Sequence, residues 1–586
     1  MSTTRLLVIV PPHAVSMVNG PPLAPLLLKN ALGPCGVDVR LFDANVRFFR
    51  WLLRPEVRQE ITGELKRLVQ EQFAKEVLSQ DDLTRVGRLL TFLSSDYCQG
   101  KDFALQRSGM DWGGAHEVFI NPPDTVPDPA FRARLMAQAM DVLAEEIAAQ
   151  SPEHIAFSAL FHTQCETIVA LCKRLRARGF QGKIILGGAA IKLSDDPYLG
   201  FLLRESTANL AYKFNLYQEF PTLADYLAGR IGVEGVAHGT YLDAAGNIQH
   251  TATQTSRVKK LAGPLAYDIV EPDNYMGDLI FPVLLSEGCY WGKCDFCDYP
   301  FLASQNPFTI SAIFRDPVHV LQDVNNVVER FGVKRIDLIS DAVPMGYFPR
   351  LAKAGGETLK ALGVRMECSV RAEPKAQPQH FEAMAACGMD LVTIGVESVC
   401  DEVLEGMKKG NTYADIVRCM QMARQHGIKV KANLIHNHPR MKPHHITETL
   451  TRLQEIIPYI ESLGVHSFGL TPHAPIAYAP QEANLVILPD RKTTNDHGQH
   501  HLQFVRADLT PELAQGFEAL KTEVESLAFE LEMRKGAMSA EQKVLKLPYR
   551  WAGDHARRDS TQPDLMVEIP GKRTPFSFFV GEYAGA

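Results

Sequence analysis

A regular alternation of strand-like and helix-like segments is the feature that most constrains how this chain of 586 residues can fold. From about residue 263 to 490, amphipathic helical stretches separate six short apolar runs: FPVLLSE, RIDLIS, RMECSV, LVTIGVE, KVKANLI and HSFGLT. Strands that are separated by helices form a parallel sheet with crossover connections. Six such units in a row predict a partial (βα)6 barrel over residues 263–490, with the chemistry at the carboxyl ends of its strands.

The N-terminal part of the chain shows a second alternation of the same kind. The runs RLLVIV, VDVRLF, HIAFSAL and KIILGGAA predict the strands of a Rossmann-like α/β domain over residues 1–262. Long charged stretches such as ITGELKRLVQEQFAKEVL predict a helical insertion at about 46–150. The segment GPLAYDIVEPDNYMG, rich in proline, glycine and aspartate, is predicted to link this domain to the barrel. Over residues 491–586 we expect a mainly helical C-terminal extension.

Composition excludes several classes of protein. The chain carries 61 Lys and Arg against 68 Asp and Glu, a net charge of −7, which argues against non-specific binding to nucleic acid or to an anionic membrane. No apolar run reaches the ~18 residues that a membrane helix needs. The cysteines outside one loop show no CxxC pairing, which is typical of a reducing compartment, so we expect a cytoplasmic protein.

Three cysteines lie within nine residues, in the loop LLSEGCYWGKCDFCDYP after the first predicted barrel strand. Cys289, Cys294 and Cys297 fit two kinds of metal site. A structural zinc site needs four closed ligands, whereas an iron–sulfur cluster bound by three thiolates keeps one iron open. No other cysteine or histidine lies close on either side of the loop, which favours the cluster. The alternative is a zinc-stabilised α/β binding protein without redox chemistry.

The loop resembles the cysteine motif of the radical S-adenosylmethionine (SAM) enzymes. In that family, three thiolates at the end of the first barrel strand hold a [4Fe–4S] cluster, and SAM chelates the fourth iron. The resemblance implies that Cys289, Cys294 and Cys297 bind this cluster and that Phe296 packs against the adenine of SAM. The family usually has three residues between its first two cysteines, and this chain has four, Tyr290 to Lys293.

Further motifs resemble the SAM-binding segments of the same family. TIGVESVCDEVLEGMKKGNT is similar to the segment after the fourth strand and places Glu397 near the cofactor. ECSVRAEP is similar to the third strand and implies SAM contacts from Ser369 and Arg371, since arginine suits a carboxylate. The alternative for Arg371 is a salt bridge at a strand end. Asp341 occupies the place of the family's Gly-Gly-Glu and is a candidate for the SAM amino group.

The N-terminal domain resembles the cobalamin-binding domain of one subgroup of these enzymes. The matching loops are VIVPP, FSALFHTQCETI and ILGGAA, which follow predicted strands, where doubly wound sheets bind ligands. The resemblance implies that Gly187 and Gly188 admit the nucleotide tail and that His162 and Thr163 face the lower side of the corrin. The alternative is that the two glycines merely end a strand. The sequence has no Asp-x-His-x-x-Gly segment, which implies cobalamin without a histidine ligand.

These resemblances predict a cobalamin-dependent radical SAM methyltransferase that methylates an unactivated carbon of a natural-product or peptide substrate. Its cofactors are a [4Fe–4S] cluster, SAM and cobalamin, and its partners are the small-molecule or peptide substrate and an external electron donor such as flavodoxin or ferredoxin. We expect no nucleic-acid or membrane partner. The alternative function is a radical SAM enzyme that catalyses rearrangement, cyclisation or oxidation without methyl transfer.

Two histidine-rich segments remain. His436 and His438 follow the fifth barrel strand in HNHPRMKPHH, where the alternatives are a substrate-contacting or proton-accepting role and solvated loop positions. His497, His500 and His501 lie in DHGQHH, beyond the predicted barrel, and are expected at the surface.

Overall fold

The computed structural model describes most of the chain. The described residues are 3–12, 19–75, 129–213, 221–252, 263–276, 279–304, 306–310, 312–494, 500–534, 567–569 and 572–574, with single positions between 79 and 93. Of these, the residues within 1–48 and 138–531 form one compact unit, which contains both large sheets. The residues within 49–106, 111–137 and 532–586 form a second unit.

The first sheet has seven strands. They are β1 Thr4–Val10, β2 Val37–Asp43, β3 His154–Ser158, β4 Ile184–Gly187, β5 Leu210–Tyr212, β6 Gly239–Leu242 and β7 Ile248–His250. Their order is β2-β1-β3-β4-β5-β6-β7, with β1 to β5 parallel and the last two pairings antiparallel. The strand order reverses between β1 and β3, and at such a switch point a crevice opens outside the carboxyl ends of the strands. This confirms the predicted doubly wound N-terminal fold.

Eight helices belong to the first part of the described chain. They are α1 Leu23–Leu32, α2 Ala44–Leu52, α3 Pro55–Phe73, α4 Pro129–Ala149, α5 Thr163–Ala177, α6 Ala189–Leu193, α7 Asp196–Ser206 and α8 Pro221–Leu227. Helix α5 buries Ile168, Leu171 and Leu175, whose three- and four-residue spacing puts them on one face. Helices α3 and α4 lie in the segment for which the sequence predicts a helical insertion.

The second sheet forms the barrel. Its strands are β8 Ile280–Leu284, β11 Arg335–Val343, β12 Arg365–Val370, β13 Met389–Glu397, β14 Lys429–Ile435 and β15 Ser462–His466, and the short strands β9 Ser286–Glu287 and β10 Ile313–Phe314 pair beside it. The six long strands are all parallel, in the order β8-β11-β12-β13-β14-β15. The predicted partial (βα)6 barrel is therefore confirmed.

The barrel helices cover the outside of this sheet. They are α9 Tyr299–Ser304, α10 Pro317–Phe331, α11 Tyr347–Leu362, α12 Pro378–Ala386, α13 Asp401–Gly406, α14 Tyr413–Gln425 and α15 Pro443–Ile456. Helix α10 begins where the Asp316 carboxylate accepts from Val318 N, and it ends at Gly332 in the left-handed conformation. Among the described residues, no helix is both long enough and apolar enough to cross a bilayer.

A hairpin that the sequence did not predict follows the barrel. Strands β16 Leu485–Thr494 and β17 His500–Arg506 pair antiparallel and span residue 490, where the sequence places the end of the barrel. Helix α16 Pro511–Arg534 then follows, in the segment expected to be helical, and a small hairpin joins β18 Val567–Ile569 to β19 Lys572–Thr574. Leu485 packs into a core cluster with Phe468 and Leu470. Tertiary packing therefore selects the hairpin, although its strands lack clear alternation.

A buried ion pair joins the linker to the barrel. The side chains of Arg315 and Asp323 are 1% and 0% exposed, and a guanidinium nitrogen of Arg315 donates to the Asp323 carboxylate. Arg315 also donates to the carbonyl of Leu284 at 3.2 Å and to that of Gly263, and Asp323 accepts from Leu265 N at 2.7 Å. Burial raises the pKa of Asp323, although Arg315 opposes this shift. The pair therefore ties the linker, the end of β8 and helix α10 together.

Replacing one member of this pair should destabilise the protein strongly. Asp323→Asn leaves the Arg315 charge buried without a counter-charge, so we expect the free energy of unfolding to fall by about 3–5 kcal/mol. Chemical denaturation followed by circular dichroism measures the change. The matched control is Glu205→Gln in the exposed Lys173–Glu205 pair, which should leave the unfolding midpoint nearly unchanged. Equal midpoints for the two variants would contradict the anchoring role of the buried pair.

Candidate active site at the cysteine loop

The cysteine loop starts at the carboxyl end of the first barrel strand. After β8 and β9, Gly288 takes a φ of 78°, a left-handed conformation that favours glycine, and turns the chain into the loop. Gly288 N donates to the carboxylate of Asp341 at 2.7 Å, and Cys289 forms a β-bridge with Ala342. The loop is therefore fastened to the end of β11, the neighbouring strand in the barrel sheet.

Two of the three thiols, those of Cys294 and Cys297, have raised pKa values. Burial raises the pKa of Cys294, and Lys409 and Arg371 oppose that shift. Burial, followed by the charge of Cys294, raises the pKa of Cys297 well above its ordinary value. Bound metal would supply the positive charge that such buried thiolates need. The loop therefore favours thiolates only when a metal centre accompanies them.

A group of three potential metal ligands lies on α13 and α15. Within the described part of the chain, one ligand atom each from Glu402, His444 and His445 lie within 4.8 Å of one another.

The group on α13 and α15 forms an ion-pair network. Glu402 accepts from Lys442 Nζ and lies 3.5 Å from His444 Nε2 and 3.1 Å from His445 Nε2. His445 Nδ1 accepts from the backbone N–H of Lys442 at 3.0 Å, so a neutral ring carries its proton on Nε2. That proton points to Glu402, which removes Nε2 as a metal ligand.

Three of the predicted SAM residues lie close to the loop. Asp341 holds Gly288, and burial raises its pKa to about 6. Arg371 is 7% exposed and donates to the carbonyl of Lys409. Glu397 ends β13 with a φ of 61° and accepts from Lys409 Nζ at 3.1 Å. A non-glycine residue in this conformation is strained, and such strain is concentrated at functional sites.

The structure does not contain the strand-end salt bridge that was the alternative role for Arg371. Among the ion pairs of the described residues, none involves Arg371. Its guanidinium carbon instead lies 4.3 Å from the centre of the Trp291 ring and 5.8 Å from that of Tyr290. The buried cation therefore stacks on the aromatic residues of the cysteine loop.

The other two predicted SAM residues have different surroundings. Ser369 is exposed on β12, and its carbonyl accepts from Ser340 Oγ at 3.4 Å. Phe296 packs against a core cluster that contains Ile435, and its ring meets the His438 ring edge-on at 5.9 Å between centres. Contact of these side chains with SAM stays a prediction.

The predicted cobalamin loops meet at the crevice of the first sheet. Gly188 has a φ of 97°, and a Cβ atom there would overlap the carbonyl oxygen of Ala159, which follows β3. Glycine is therefore required for the close approach of these two loops. Thr163 begins α5, and its buried hydroxyl has no hydrogen-bond partner among the described residues. A backbone-lined turn and a buried unsatisfied hydroxyl fit the recognition of a large polar ligand.

His162 lies beside Thr163 and is 4% exposed. Its Nε2 lies 3.3 Å from Ser194 Oγ, and its ring stacks on His500 with 3.7 Å between ring centres. His500 and His501 are half-buried, so the expected surface position is corrected for these two residues, and His497 lies outside the described residues. The hairpin that the sequence analysis missed brings His500 onto the loop that follows β3.

The helices that follow the Gly187–Gly188 turn and the cysteine loop contact each other. Lys192 of α6 is 6% exposed and donates to the carbonyl of Leu302 in α9. His473 lies 3.3 Å from the carbonyl of Leu193 and stacks on Phe301 at 3.7 Å between ring centres. Helix α6 begins one residue after Gly188, and α9 begins two residues after Cys297. The contact between the Gly187–Gly188 turn and Cys297 is thus made through two short helices, α6 after the turn and α9 after the cysteine.

Comparison with known proteins identifies the barrel. Residues 283–453 match the family model of the Radical SAM superfamily. The barrel is a radical SAM domain. Such a domain uses a [4Fe–4S] cluster and SAM, as the sequence predicted, and its matched region begins in β8 and includes all three cysteines of the loop.

Two curated relatives match part of the chain. One is 4'-phospho-dehydrooxetanocin synthase of Priestia megaterium, 22% identical over 218 residues, which cover 33% of this chain and 28% of the relative. The other is bacteriochlorophyllide d C-12(1)-methyltransferase of Chlorobaculum tepidum, 26% identical over 132 residues, which cover 22% of this chain and 28% of the relative. This chain spans 28% of the length of each relative.

A solved structure resembles nearly the whole fold. It is the radical S-adenosylmethionine methyltransferase TsrM from Kitasatospora setae with tryptophan substrate and a SAM analogue bound. The TM-score is 0.55 at 13% identity, covering 94% of this chain and 100% of that chain. Another TsrM structure contains cobalamin and a [4Fe–4S] cluster. The likeness confirms the predicted fold, an α/β domain followed by the radical SAM domain.

Some residues at the edge of the radical SAM domain were missed by the sequence analysis. Lys192 and Glu287 are two of them. Burial raises the pKa of Glu287, and the charge of Lys192 opposes this shift. Burial also lowers the pKa of Lys192. No motif marks either residue, because the pair forms only when α6 meets β9. Trp291 is another residue to which the sequence analysis assigned no role. The four-residue spacing between Cys289 and Cys294 is the sequence signal that could have drawn attention to it.

His436 and His438 are buried. They are 3% and 0% exposed, so the solvated-loop alternative is wrong. His436 Nδ1 lies 3.0 Å from the carbonyl of His466. Burial, with the nearby charges of Arg440 and Arg506, lowers the pKa of His438 to about 3. A buried histidine that stays neutral cannot accept protons from a substrate at neutral pH.

The depressed pKa of His438 predicts a loss of stability in mild acid. The unfolded residue titrates near 6.5 and the folded one near 3, so below pH 6.5 protons bind preferentially to the unfolded chain. Between pH 7.5 and pH 5, this one group should remove about 2 kcal/mol from the free energy of unfolding. His438→Asn should reduce the acid sensitivity by that amount in denaturation curves. Identical curves for wild type and His438→Asn would refute the assignment.

Proposed function

We propose that this protein is a cobalamin-dependent radical SAM methyltransferase acting on an unactivated carbon. The observation that carries the proposal is the direct contact between α6, which follows the Gly187–Gly188 turn, and α9, which follows Cys297. A methyl donor and a radical source must reach the same substrate carbon, so their loops have to be neighbours. The matches to TsrM and to a bacteriochlorophyllide methyltransferase support the same reaction class.

On this proposal, Cys289, Cys294 and Cys297 hold the [4Fe–4S] cluster. The SAM contacts are Phe296, Asp341, Ser369, Arg371 and Glu397. Glu397 and Asp341 offer carboxylates to an amino group, and Arg371 offers a buried cation to a carboxylate. When bound, the cluster and SAM supply a radical that removes a hydrogen atom from an inert carbon. The residues around them hold SAM in one orientation and exclude water.

Cobalamin is proposed to bind at the crevice of the first sheet. Gly187 and Gly188 present backbone without side chains, Thr163 offers its buried hydroxyl, and His162 lies against the same loop. His162 Nε2 already lies within hydrogen-bond distance of Ser194 Oγ, which supports cobalamin bound without a histidine ligand to cobalt. When bound, methylcobalamin supplies the methyl group. The proposed domain limits are 1–262, 263–490 and 491–586.

The substrate is proposed to be a natural product or peptide, held between the two cofactor loops. An external electron donor such as flavodoxin or ferredoxin would supply the reducing electron. Buried thiols such as Cys172, Cys368 and Cys387 support a reducing, cytoplasmic setting for the protein. Rearrangement, cyclisation or oxidation without methyl transfer is the alternative outcome.

The first test concerns the cluster. Anaerobically reconstituted wild-type protein should contain about four iron and four sulfide per chain. Replacing Cys289, Cys294 and Cys297 together by alanine should abolish both, along with the paramagnetic signal of the reduced cluster. The control is Cys387→Ala, a buried cysteine on the outer side of the barrel, which should retain the cluster. Full iron and sulfide in the triple variant would refute the assignment, as would stoichiometric zinc in the wild type.

The second test concerns the reaction. With a reductant and candidate substrates, the enzyme should release 5′-deoxyadenosine and S-adenosylhomocysteine in about equal amounts beside a methylated product, because SAM serves once as radical source and once as methyl source. Mass spectrometry with methyl-labelled SAM measures the transfer. Deoxyadenosine with an unmethylated product would favour rearrangement, cyclisation or oxidation. A methylated product with S-adenosylhomocysteine alone would show methyl transfer without the radical step.

A further inference from the structure

The spacer between the first two cysteines is docked onto a distant turn of the barrel. It comprises Tyr290 to Lys293 and is one residue longer than the family's usual spacer. Trp291 Nε1 donates to the carbonyl of Lys408 at 2.9 Å. Lys408 and Gly410 have φ angles of 56° and 71°, so the turn after α13 is held in an unusual conformation that presents this carbonyl. The indole of the spacer thus has a specific acceptor.

Gly410 provides the surface on which the indole rests. A Cβ atom at this position would overlap the Cζ2 and Cη2 atoms of Trp291. The six-membered ring of the indole therefore occupies the space that any side chain at position 410 would need. Glycine at this position serves the contact with Trp291 as well as the left-handed backbone.

Arg371 holds the indole from another side. Its guanidinium carbon lies 4.3 Å from the centre of the Trp291 ring, and it also donates to the carbonyl of Lys409, in the middle of the same turn. The Lys409 side chain is paired with Glu397 at 3.1 Å, which ties the turn to the end of β13. The half-buried indole therefore lies between Arg371 and a turn that is tied to the end of β13.

The same turn also holds the second half of the loop. Asp295, which follows Cys294, donates its backbone N–H to the carbonyl of Met407 at 3.0 Å. Its carboxylate accepts from Arg440 at 2.9 Å. Cys294 thus lies between two anchors on residues 407–410, the indole of Trp291 before it and the amide of Asp295 after it. Within the spacer, only the indole provides a side-chain anchor to this turn among the described contacts.

We propose that Trp291 is a positioning residue for the iron–sulfur cluster. Its indole docks the lengthened spacer on the 408–410 turn, and this sets where the sulfurs of Cys289 and Cys294 lie. The inference rests on the proposed function, because it assumes that these cysteines hold the cluster. Tyr290, also in the spacer, is held separately by Glu373, which accepts from its hydroxyl at 2.7 Å. Without the indole, the spacer loses its side-chain anchor on the 408–410 turn, and the cluster should release iron more readily.

The first experiment measures iron release. Wild type, Trp291→Ala and Trp291→Phe are reconstituted anaerobically, and the release of iron to an excess ferrous chelator is followed by absorbance. For Trp291→Ala we expect release about tenfold faster, which corresponds to about 1.4 kcal/mol in the barrier. Trp291→Phe keeps an aromatic ring beside Arg371 but loses the N–H donation and the fused ring that rests on Gly410, so its rate should be intermediate. Circular dichroism verifies that each variant is folded.

The second experiment uses a matched pair of glycines. Gly410→Ala adds a methyl group that overlaps the indole, whereas Gly427→Ala adds one at a φ of 74° with no atom within 4 Å. Both substitutions carry the same backbone strain, so only Gly410→Ala should accelerate iron release. The double variant Trp291→Ala/Gly410→Ala should release iron no faster than Trp291→Ala, because the clash disappears with the ring.

These outcomes separate the inference from the proposed function. If the wild type binds no iron–sulfur cluster, the proposed function fails. If the wild type holds the cluster but Trp291→Ala releases iron at the wild-type rate, the docking role is refuted and the function stands. Equal rates for Gly410→Ala and Gly427→Ala, or fully additive effects in the double variant, would also overturn the docking role.

Discussion

The buried pair of Arg315 and Asp323 is the interaction on which the geometry of the site depends. It links the interdomain segment to the end of β8 and to α10, in a place where neither charge is exposed to solvent. Strand β8 leads through β9 directly to Cys289, so any shift of this strand moves the cysteine loop. A buried ion pair costs free energy to desolvate, but once formed it leaves few alternative arrangements for the backbone around it. The pair therefore specifies the position of the loop as much as it stabilises the protein.

From that anchor, the site is built by contacts between strand ends. Asp341 fastens the start of the cysteine loop to β11, and the 407–410 turn fastens its middle to β13. On the far side, α6 carries the first sheet to the loop's end through Lys192 and Leu302. These anchors come from different elements, and several of them are buried charged groups. The cysteines are thus presented on a scaffold that has little freedom to rearrange, as a low-potential cluster with an open iron requires.

The sequence predicted the parts of this site that depend on local pattern. Alternation of strands and helices predicted the parallel strands of both large sheets, and the spacing of Cys289, Cys294 and Cys297 at a strand end predicted the metal loop. The hairpin β16–β17 was missed, because its strands are selected by packing against Phe468 and Leu470 and carry no clear alternation of their own. Solvated loop positions were one alternative for His436 and His438, because a polar residue in a loop is normally exposed, and only the surrounding structure shows that His438 is fully buried.

The sequence by itself determined the fold class, the metal-binding loop and the strand ends at which cofactors are expected, because these follow from short-range periodicity and spacing. Only the tertiary structure decided which side chains meet there. Three pairs illustrate this. The members of two pairs are separated by 95 or more residues: Lys192 with Glu287, and Trp291 with Gly410. The members of the third, His162 with His500, are separated by more than 300. Contacts at such separations form when whole elements pack, so no local pattern records them.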